Sequence, residues 1–122
     1  MALKRMVLEL GMGTDIRGED YTKATIRALS NALRQNSLTV ADAFNVPRED
    51  MHVKIIVGAQ KPNQVDKQAV AETLPYGQAE VEVELGGLDT LKATGESSTI
   101  MVNVAVVVYL DLPDDKDWRV AS

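Results

Sequence analysis

Cysteine is absent from the 122 residues of this chain, and histidine occurs only once, as His52. The lack of cysteine excludes disulfide bonds, thiol nucleophiles and cysteine-ligated metals. The single histidine excludes metal sites built from several imidazoles and any Ser-His-Asp triad with another base. We therefore predict no metal site of the cysteine or multi-histidine kind, and we assign no cofactor and no metal-binding residue.

Basic clusters and long apolar runs are also scarce. The net charge is −5, and no run of basic residues exceeds Lys4-Arg5, so nucleic acid and anionic membrane surfaces are not expected partners. The longest apolar run, Ile100 to Leu110, is shorter than the about 18 residues that a membrane helix needs. The first residues lack the apolar stretch of a signal peptide. These features favour a cytoplasmic protein.

Aromatic residues make up only 4% of the chain, so the core has to be built from aliphatic side chains and methionine. Asp20 is placed to cap a helix through the amide of Lys23. The apolar periodicity predicts strands at Leu3–Leu10, Met51–Ala59, Ala79–Leu85 and Ile100–Leu110, helices from Asp20 to near Asn36 and over Val65–Leu74, a short turn or helix at Leu38–Val46, and a turn-rich connection at Leu88–Ser98.

The resulting order, β-α-β-α-β-β, is typical of an α+β domain. We predict a mixed sheet of about four strands with two helices on one face. Residues 1–112 are assigned to this single domain, and residues 113–122 to an acidic tail. The strand Ile100–Leu110 is apolar on both of its faces. Because a monomer would expose half of it, the sequence predicts a homo-oligomer.

The stretch Gly11–Gly18 is rich in glycine and lies between the first strand and the first helix. A dinucleotide-binding fingerprint needs glycine where Ile16 stands, and no Gly-Lys-Ser/Thr ending of a P-loop follows. Two interpretations remain open. The loop amides and Arg17 form a site for a carboxylate or similar group, or the glycines form a tight turn that lets subunits pack, with Asp15 paired to Arg17 or capping the turn.

Further polar residues lie on the predicted strands. Lys54 would serve as a base or Schiff-base lysine if burial lowered its pKa, while the neighbouring His52 has a structural interpretation as well. Asn103 interrupts an apolar strand, so its amide needs a partner, either a ligand or another subunit. Ser97–Thr99 and the acidic row Glu80, Glu82 and Glu84 are more simply explained as a serine-rich turn and a solvated strand face.

The candidate site is therefore drawn from two groups of residues. Asp15 has a second candidate role as a ligand for Mg²⁺ or Ca²⁺ beside Glu19 and Asp20, although acids before a helix are more often caps. The candidate catalytic residues are Asp15, Arg17 and Lys54, and the candidate ligand-binding residues are Gly11, Gly13, Thr14, Gly18 and Asn103.

Two resemblances extend this interpretation. Five stretches resemble a conserved-hypothetical family of similar length: Glu9–Asp15, Asn36–Leu38, Met51–Val53, Leu74–Gly77 and Asn103–Leu110. That family carries a Gly-x-Gly-x-Asp-x-His-Gly motif, in which Arg17 of this chain stands at the histidine position. The order of elements also resembles the trimeric α+β fold of monofunctional chorismate mutases and YjgF-like proteins, which implies ligand sites in clefts between subunits.

Together these observations predict a homo-oligomer, a trimer or a multiple of one, with a small-molecule site between subunits. Its ligand would carry a carboxylate, carbonyl or amide group, and hydrolysis or isomerisation would suit the polar residues available. The alternative is a non-catalytic binding or assembly module, in which the glycine-rich loop serves subunit packing.

Overall fold

The computed structural model of the protein describes residues 2–33, 39–74, 77–95 and 98–113. Two short 3₁₀ turns span Arg48–Asp50 and Pro62–Gln64. The elements in chain order are β1 (Ala2–Asp15), α1 (Tyr21–Leu33), α2 (Val40–Ala43), β2 (His52–Ala59), α3 (Lys67–Glu72), β3 (Gln78–Leu85), β4 (Leu88–Leu91) and β5 (Ser98–Leu112).

The strands form one mixed sheet in the order β1-β5-β2-β3, and β4 pairs with β5 beyond the end of β2. β2 and β3 are parallel, whereas β5 is antiparallel to β1, β2 and β4. The predicted α+β class and mixed sheet are confirmed. The sheet has five strands, because the connection predicted over Leu88–Ser98 contains the short strand β4.

β1 is longer than the sequence pattern indicated. The strand was predicted to end at Leu10, but its pairing with β5 continues to Asp15. Gly11 and Gly13 therefore belong to the strand, and only residues 16–20 connect it to α1. The prediction that the whole of Gly11–Gly18 is a loop is wrong.

The reason for the two glycines is the close approach of α1. A Cβ on Gly11 would lie 2.6 Å from the Ala32 nitrogen and 2.8 Å from the Ala32 Cβ. A Cβ on Gly13 would lie 2.9 Å from the Arg27 carbonyl carbon and still closer to the Ala24 oxygen. The buried alanines of α1 thus occupy the space that side chains on β1 would need.

α1 and α3 begin at capping residues and lie on the same face of the sheet. Lys23 N–H donates to Asp20 Oδ1 at 3.0 Å, which confirms the predicted cap of α1. Ala69 N–H donates to Asp66 Oδ1 at 3.1 Å at the start of α3. One cluster of buried residues joins the helices to the sheet: Tyr21, Ala24, Ala28, Leu29, Ala32, Val53, Ile55, Val57, Val70, Val102, Val106 and Val108 are among its members.

The opposite surface of the sheet, here called the open face, carries no helix of the described residues. Its centre and the β1 edge are apolar, and the β3 edge is acidic. Cross-strand register places on it Leu8, Leu10 and Met12 of β1, Met101, Asn103, Ala105, Val107 and Tyr109 of β5, His52, Lys54, Ile56 and Gly58 of β2, and Glu80, Glu82 and Glu84 of β3.

Some predictions concern residues outside the described ranges. They are Asn36 as the end of the first helix, Ser97 of the serine-rich turn, and the acidic tail beyond Pro113. The division into a domain at 1–112 and a tail at 113–122 stays a prediction. Among the residues that are described, no helix is long and apolar enough to cross a membrane.

Candidate functional site

Asp15 ends β1 with its side chain turned to the helix side of the sheet, and the residue is only 5% exposed. Its carboxylate accepts hydrogen bonds from Asp20 N–H at 2.9 Å and from Gly18 N–H at 3.4 Å. Asp15 therefore holds the β1–α1 connection in its turn. The sequence left Asp15 either to pair with Arg17 or to cap the turn, and these hydrogen bonds match the cap.

Backbone amides also favour the charged form of the Asp15 carboxyl group. The Asp20 N–H, followed by those of Gly18 and Arg17, lowers the pKa of the carboxyl below 3.8, against the opposing effect of burial. Arg27 Nη1 lies 3.8 Å from Asp15 Oδ1 and donates to the Thr14 carbonyl oxygen at 2.7 Å. The ion-pair partner of Asp15 among the described residues is thus Arg27 on α1.

Arg17 and Gly18 are both exposed in the connection. The ion pair considered between Asp15 and Arg17 is absent from the described part of the chain, where Arg27 takes that place. The Arg17 guanidinium is consequently available to solvent at the end of β1.

The two groups of predicted site residues lie on different faces of the sheet. Asp15 pairs in register with Ile100, whose side chain is in the core. Lys54 pairs with Val107 and Asn103 with Gly58, both on the open face. The structure does not bring Asp15 together with Lys54 or Asn103, because the sheet lies between them.

Asn103 lies on the open face next to two glycines, Gly58 of β2 and Gly86, which directly follows β3. A Cβ on Gly58 would collide with Asn103 Oδ1, and one on Gly86 would lie 3.6 Å from it. A cavity of about 390 Å³ includes these residues together with Leu10 and Glu84. The Asn103 amide is exposed, so within one chain it is available for a ligand or another subunit.

A second and larger cavity opens where β2 and β3 begin and β5 ends. This rim cavity has a volume of about 440 Å³, and its polar lining comes from Tyr109, His52, Lys54, Gln78 and Glu80. In register, His52 lies between Tyr109 and Gln78, and Lys54 lies directly opposite Glu80. Neighbouring strands are about 4.8 Å apart, so one small molecule can reach all five.

Lys54 is a cation in this cavity. Its Nζ lies 3.2 Å from Glu82 Oε1, and this hydrogen bond, reinforced by the charges of Glu82 and Glu80, raises the pKa of Lys54. A nucleophilic or basic Lys54 would need a lowered pKa, so that condition is not met. In this structure the Lys54 ammonium pairs with Glu82.

Tyr109 and Gln78 were not among the site residues predicted from the sequence, and Glu80 was assigned to a solvated strand face. Only the register of β2 with β5 and β3 places these residues beside His52 and Lys54. The alternation of the β3 segment showed which face Glu80 occupies, but no local pattern shows the partner strand or its offset.

A polar contact in the core lies on the helix side. The Tyr21 hydroxyl donates to Asp89 Oδ2, and burial followed by this hydrogen bond raises the pKa of Tyr21 to about 12. Asp89 Oδ1 is buried without a hydrogen-bond partner in the described residues. The pair joins α1 to β4.

Neither face presents a metal-binding group in the described ranges. No three histidine, aspartate or glutamate side chains there are arranged to hold a metal ion. Glu19, considered beside Asp15 as a cation ligand, instead accepts a hydrogen bond from Ser98 N–H. Asp20 caps α1.

Comparison with known proteins places the chain in a family. The model of a family described as "Conserved hypothetical protein (Lin0512_fam)" matches residues 5–108. The chain belongs to this family. The predicted membership of an uncharacterised conserved family is confirmed, while the histidine-containing motif and the YjgF-like resemblance stay predictions.

One solved structure extends the comparison. It is described as an FtsZ-like protein of unknown function from Nostoc punctiforme and is 29% identical to this chain. The match covers 92% of this chain and 99% of the other, with a TM-score of 0.81. No curated protein matches the chain.

Proposed function

We propose that this Lin0512_fam protein is a homo-oligomer that joins copies through the open face and binds a small molecule in the rim cavity. The ligand carries a carboxylate, carbonyl or amide group. The single observation that carries the proposal is the open face itself, an apolar sheet surface without a covering helix in the described chain.

The exposure of the apolar side chains supports assembly. Leu10 is 69% exposed, Met12 56% and Leu8 48%, and all three lie side by side on one face of β1. Soluble monomers rarely leave a contiguous apolar patch of this kind in water. A second copy offers the same surface, and closed symmetry then buries it on every subunit. A trimer or a multiple of one is the state that we propose.

Polar chemistry favours the rim cavity as the ligand site. Lys54 supplies a lasting positive charge, and His52 and Tyr109 supply further hydrogen-bonding groups. The oxygens of Asp15 already accept two backbone hydrogen bonds, so the end of β1 offers a ligand mainly the exposed Arg17. Asn103 lies in the neighbouring cavity on the same face.

If the site is catalytic, hydrolysis or isomerisation of such a ligand is the reaction class that we propose. His52 is the residue type that most often transfers protons in such reactions, and Lys54 would stabilise negative charge on oxygen. The alternative is a non-catalytic assembly module. Gly11 and Gly13 pack against α1 of their own chain. In this alternative the subunits would therefore associate through the open face and not through the glycines. The cytoplasm remains the proposed location on the sequence evidence.

Analytical ultracentrifugation of two matched variants tests the assembly. Leu10→Glu places a charge on the open face, whereas Leu91→Glu makes the same change at a site of similar exposure, 66%, on β4. The wild type and Leu91→Glu should sediment as one oligomer, and Leu10→Glu should dissociate. A wild-type monomer at micromolar concentration would contradict the proposal.

A further inference from the structure

Glu80 is an unpaired carboxylate inside the rim cavity. It lies directly opposite Lys54 in the register of β2 and β3, yet the Lys54 ammonium pairs with Glu82, one step further along β3, at 3.2 Å. Within the described residues Glu80 has neither an ion pair nor a hydrogen bond. Lys54 thus lies beside two carboxylates, Glu82 and Glu80, so this group of three side chains carries a net negative charge.

The other polar side chains of the cavity, Tyr109, His52, Gln78 and Lys54, all include hydrogen-bond donors. Tyr109, His52 and Gln78 form one row across β5, β2 and β3, and Lys54 and Glu80 form the next row. Successive rows on one sheet face are about 7 Å apart. The cavity thus presents several donors for an anionic group and, beside Lys54, one free acceptor that favours a cationic group.

A ligand with only a carboxylate fits this arrangement poorly. Bound near Lys54, its negative charge would also lie near Glu80, and like charges at such separations repel. A ligand that also carries an ammonium group would neutralise Glu80 and form a charge-assisted hydrogen bond with it. A ligand with only an ammonium group would leave the donors of the cavity unused.

We propose that the rim cavity binds a small zwitterion of the amino-acid class. Its carboxylate contacts Lys54 and the His52–Tyr109 row, and its ammonium contacts Glu80. This inference rests on the proposed function, since it specifies the ligand of the same site. The volume of about 440 Å³ accommodates such a molecule with an aliphatic or polar side chain.

Isothermal titration calorimetry of the full chain with three matched compounds tests the inference. Norvaline is the zwitterion, pentanoate lacks its ammonium, and butylamine lacks its carboxylate. We expect the wild type to bind norvaline about tenfold more tightly than either of the others, the ratio that one charge-assisted hydrogen bond supplies.

Two substitutions on β3 test whether Glu80 is the residue responsible for the preference for norvaline. Glu80→Gln should lower norvaline affinity to the level of pentanoate. Glu84→Gln, on the same face of the same strand but outside the rim cavity, should leave it unchanged. Both side chains are exposed, so thermal unfolding should confirm that each variant remains folded.

The outcomes separate this inference from the proposed function. Pentanoate binding as tightly as norvaline, or a Glu80→Gln variant that keeps the preference for norvaline, would overturn the zwitterion assignment and leave a carboxylate site in place. No binding of any of the three compounds would overturn the zwitterion assignment together with the carboxylate ligand of the proposed function.

Discussion

At the scale of single residues, Gly13 shows the tightest fit among the glycines. A Cβ there would collide with the backbone of α1 at Ala24 and Ala28, and backbone cannot move aside as a flexible side chain can. We expect Gly13→Ala to lower the free energy of unfolding by about 3 kcal/mol, measured by urea denaturation at fixed protein concentration.

The matched control for that variant is Gly95→Ala. Nothing lies within 4 Å of a Cβ at Gly95, although its φ of +75° is unfavourable for alanine, so the expected loss is only about 1 kcal/mol. Equal losses in the two variants would show that the contact with α1 is not what requires glycine at position 13.

The lowered pKa of Asp15 predicts that the stability of the fold falls at low pH. Backbone amides hold its pKa below 3.8 in the folded chain, so its charged form stabilises the fold above about pH 4. That contribution is lost as the pH falls through the folded pKa. We expect Asp15→Asn to be less stable than the wild type at pH 7 and the difference to shrink below about pH 4, as followed by urea denaturation across pH.

The Asp42–Arg48 ion pair serves as the comparison for the physical origin of the lowered pKa of Asp15. The pKa of Asp42 is also lowered, but by the hydrogen bond and charge of Arg48 in an exposed ion pair at 2.6 Å. Salt near 1 M screens such a pair strongly, whereas the amides at Asp15 keep their hydrogen bonds. An Asp15→Asn effect that disappeared in salt would assign it to the charges of Arg27 and Lys23 instead of the amides.

At the scale of elements, the sequence predicted where strands and helices lie better than where they end. The cap at Asp20 and the apolar β5 segment are local signals, and the structure confirms both. β1 was predicted too short because glycine weakens a strand pattern. Whether Gly11 and Gly13 end the strand depends on the alanines of α1, which lie 11 to 21 residues further along the chain.

The candidate site was predictable only in part, for the same reason. Alternation assigns Lys54 and His52 to one face of β2 from the sequence alone. Their meeting with Tyr109 and Gln78 depends on strand order and register, which arise from long-range packing. Asp15 and Lys54 were grouped because both are polar, and the sheet between them could not be seen in the sequence.

α1 also protects the outer edge of β1, which gives a prediction for one backbone amide. Asn31 Oδ1 accepts a hydrogen bond from Met12 N–H at 3.1 Å, on the edge away from β5. Asn31→Ala removes that acceptor at a cost of about 1 kcal/mol. Hydrogen exchange of the Met12 amide should therefore become about fivefold faster.

Ser30→Ala serves as the control for this measurement, since Ser30 is the exposed neighbour of Asn31 on α1. It should leave exchange at Met12 unchanged. Unaltered exchange in Asn31→Ala would mean that another group protects this edge of β1.

At the scale of the whole molecule, the two faces of the sheet differ in how they are covered. The helix side buries its residues against α1 and α3 of the same chain, whereas Leu10 and Met12 on the open face lie more than half exposed. Proposed self-association and the proposed ligand site lie on this second face. Subunit assembly would therefore determine how much of the rim cavity is accessible to solvent and to ligands.

Thermal stability should then depend on protein concentration. If unfolding is coupled to dissociation of copies packed on the open face, mass action stabilises the folded state as concentration rises. For a chain of this size we expect Tm to rise by roughly 3 °C per tenfold increase in concentration, measured by differential scanning calorimetry. Leu10→Glu should have a lower Tm that no longer depends on concentration, while Leu91→Glu keeps the dependence. A wild-type Tm that is constant over a hundredfold range would mean that the exposed leucines of β1 are tolerated by a monomer.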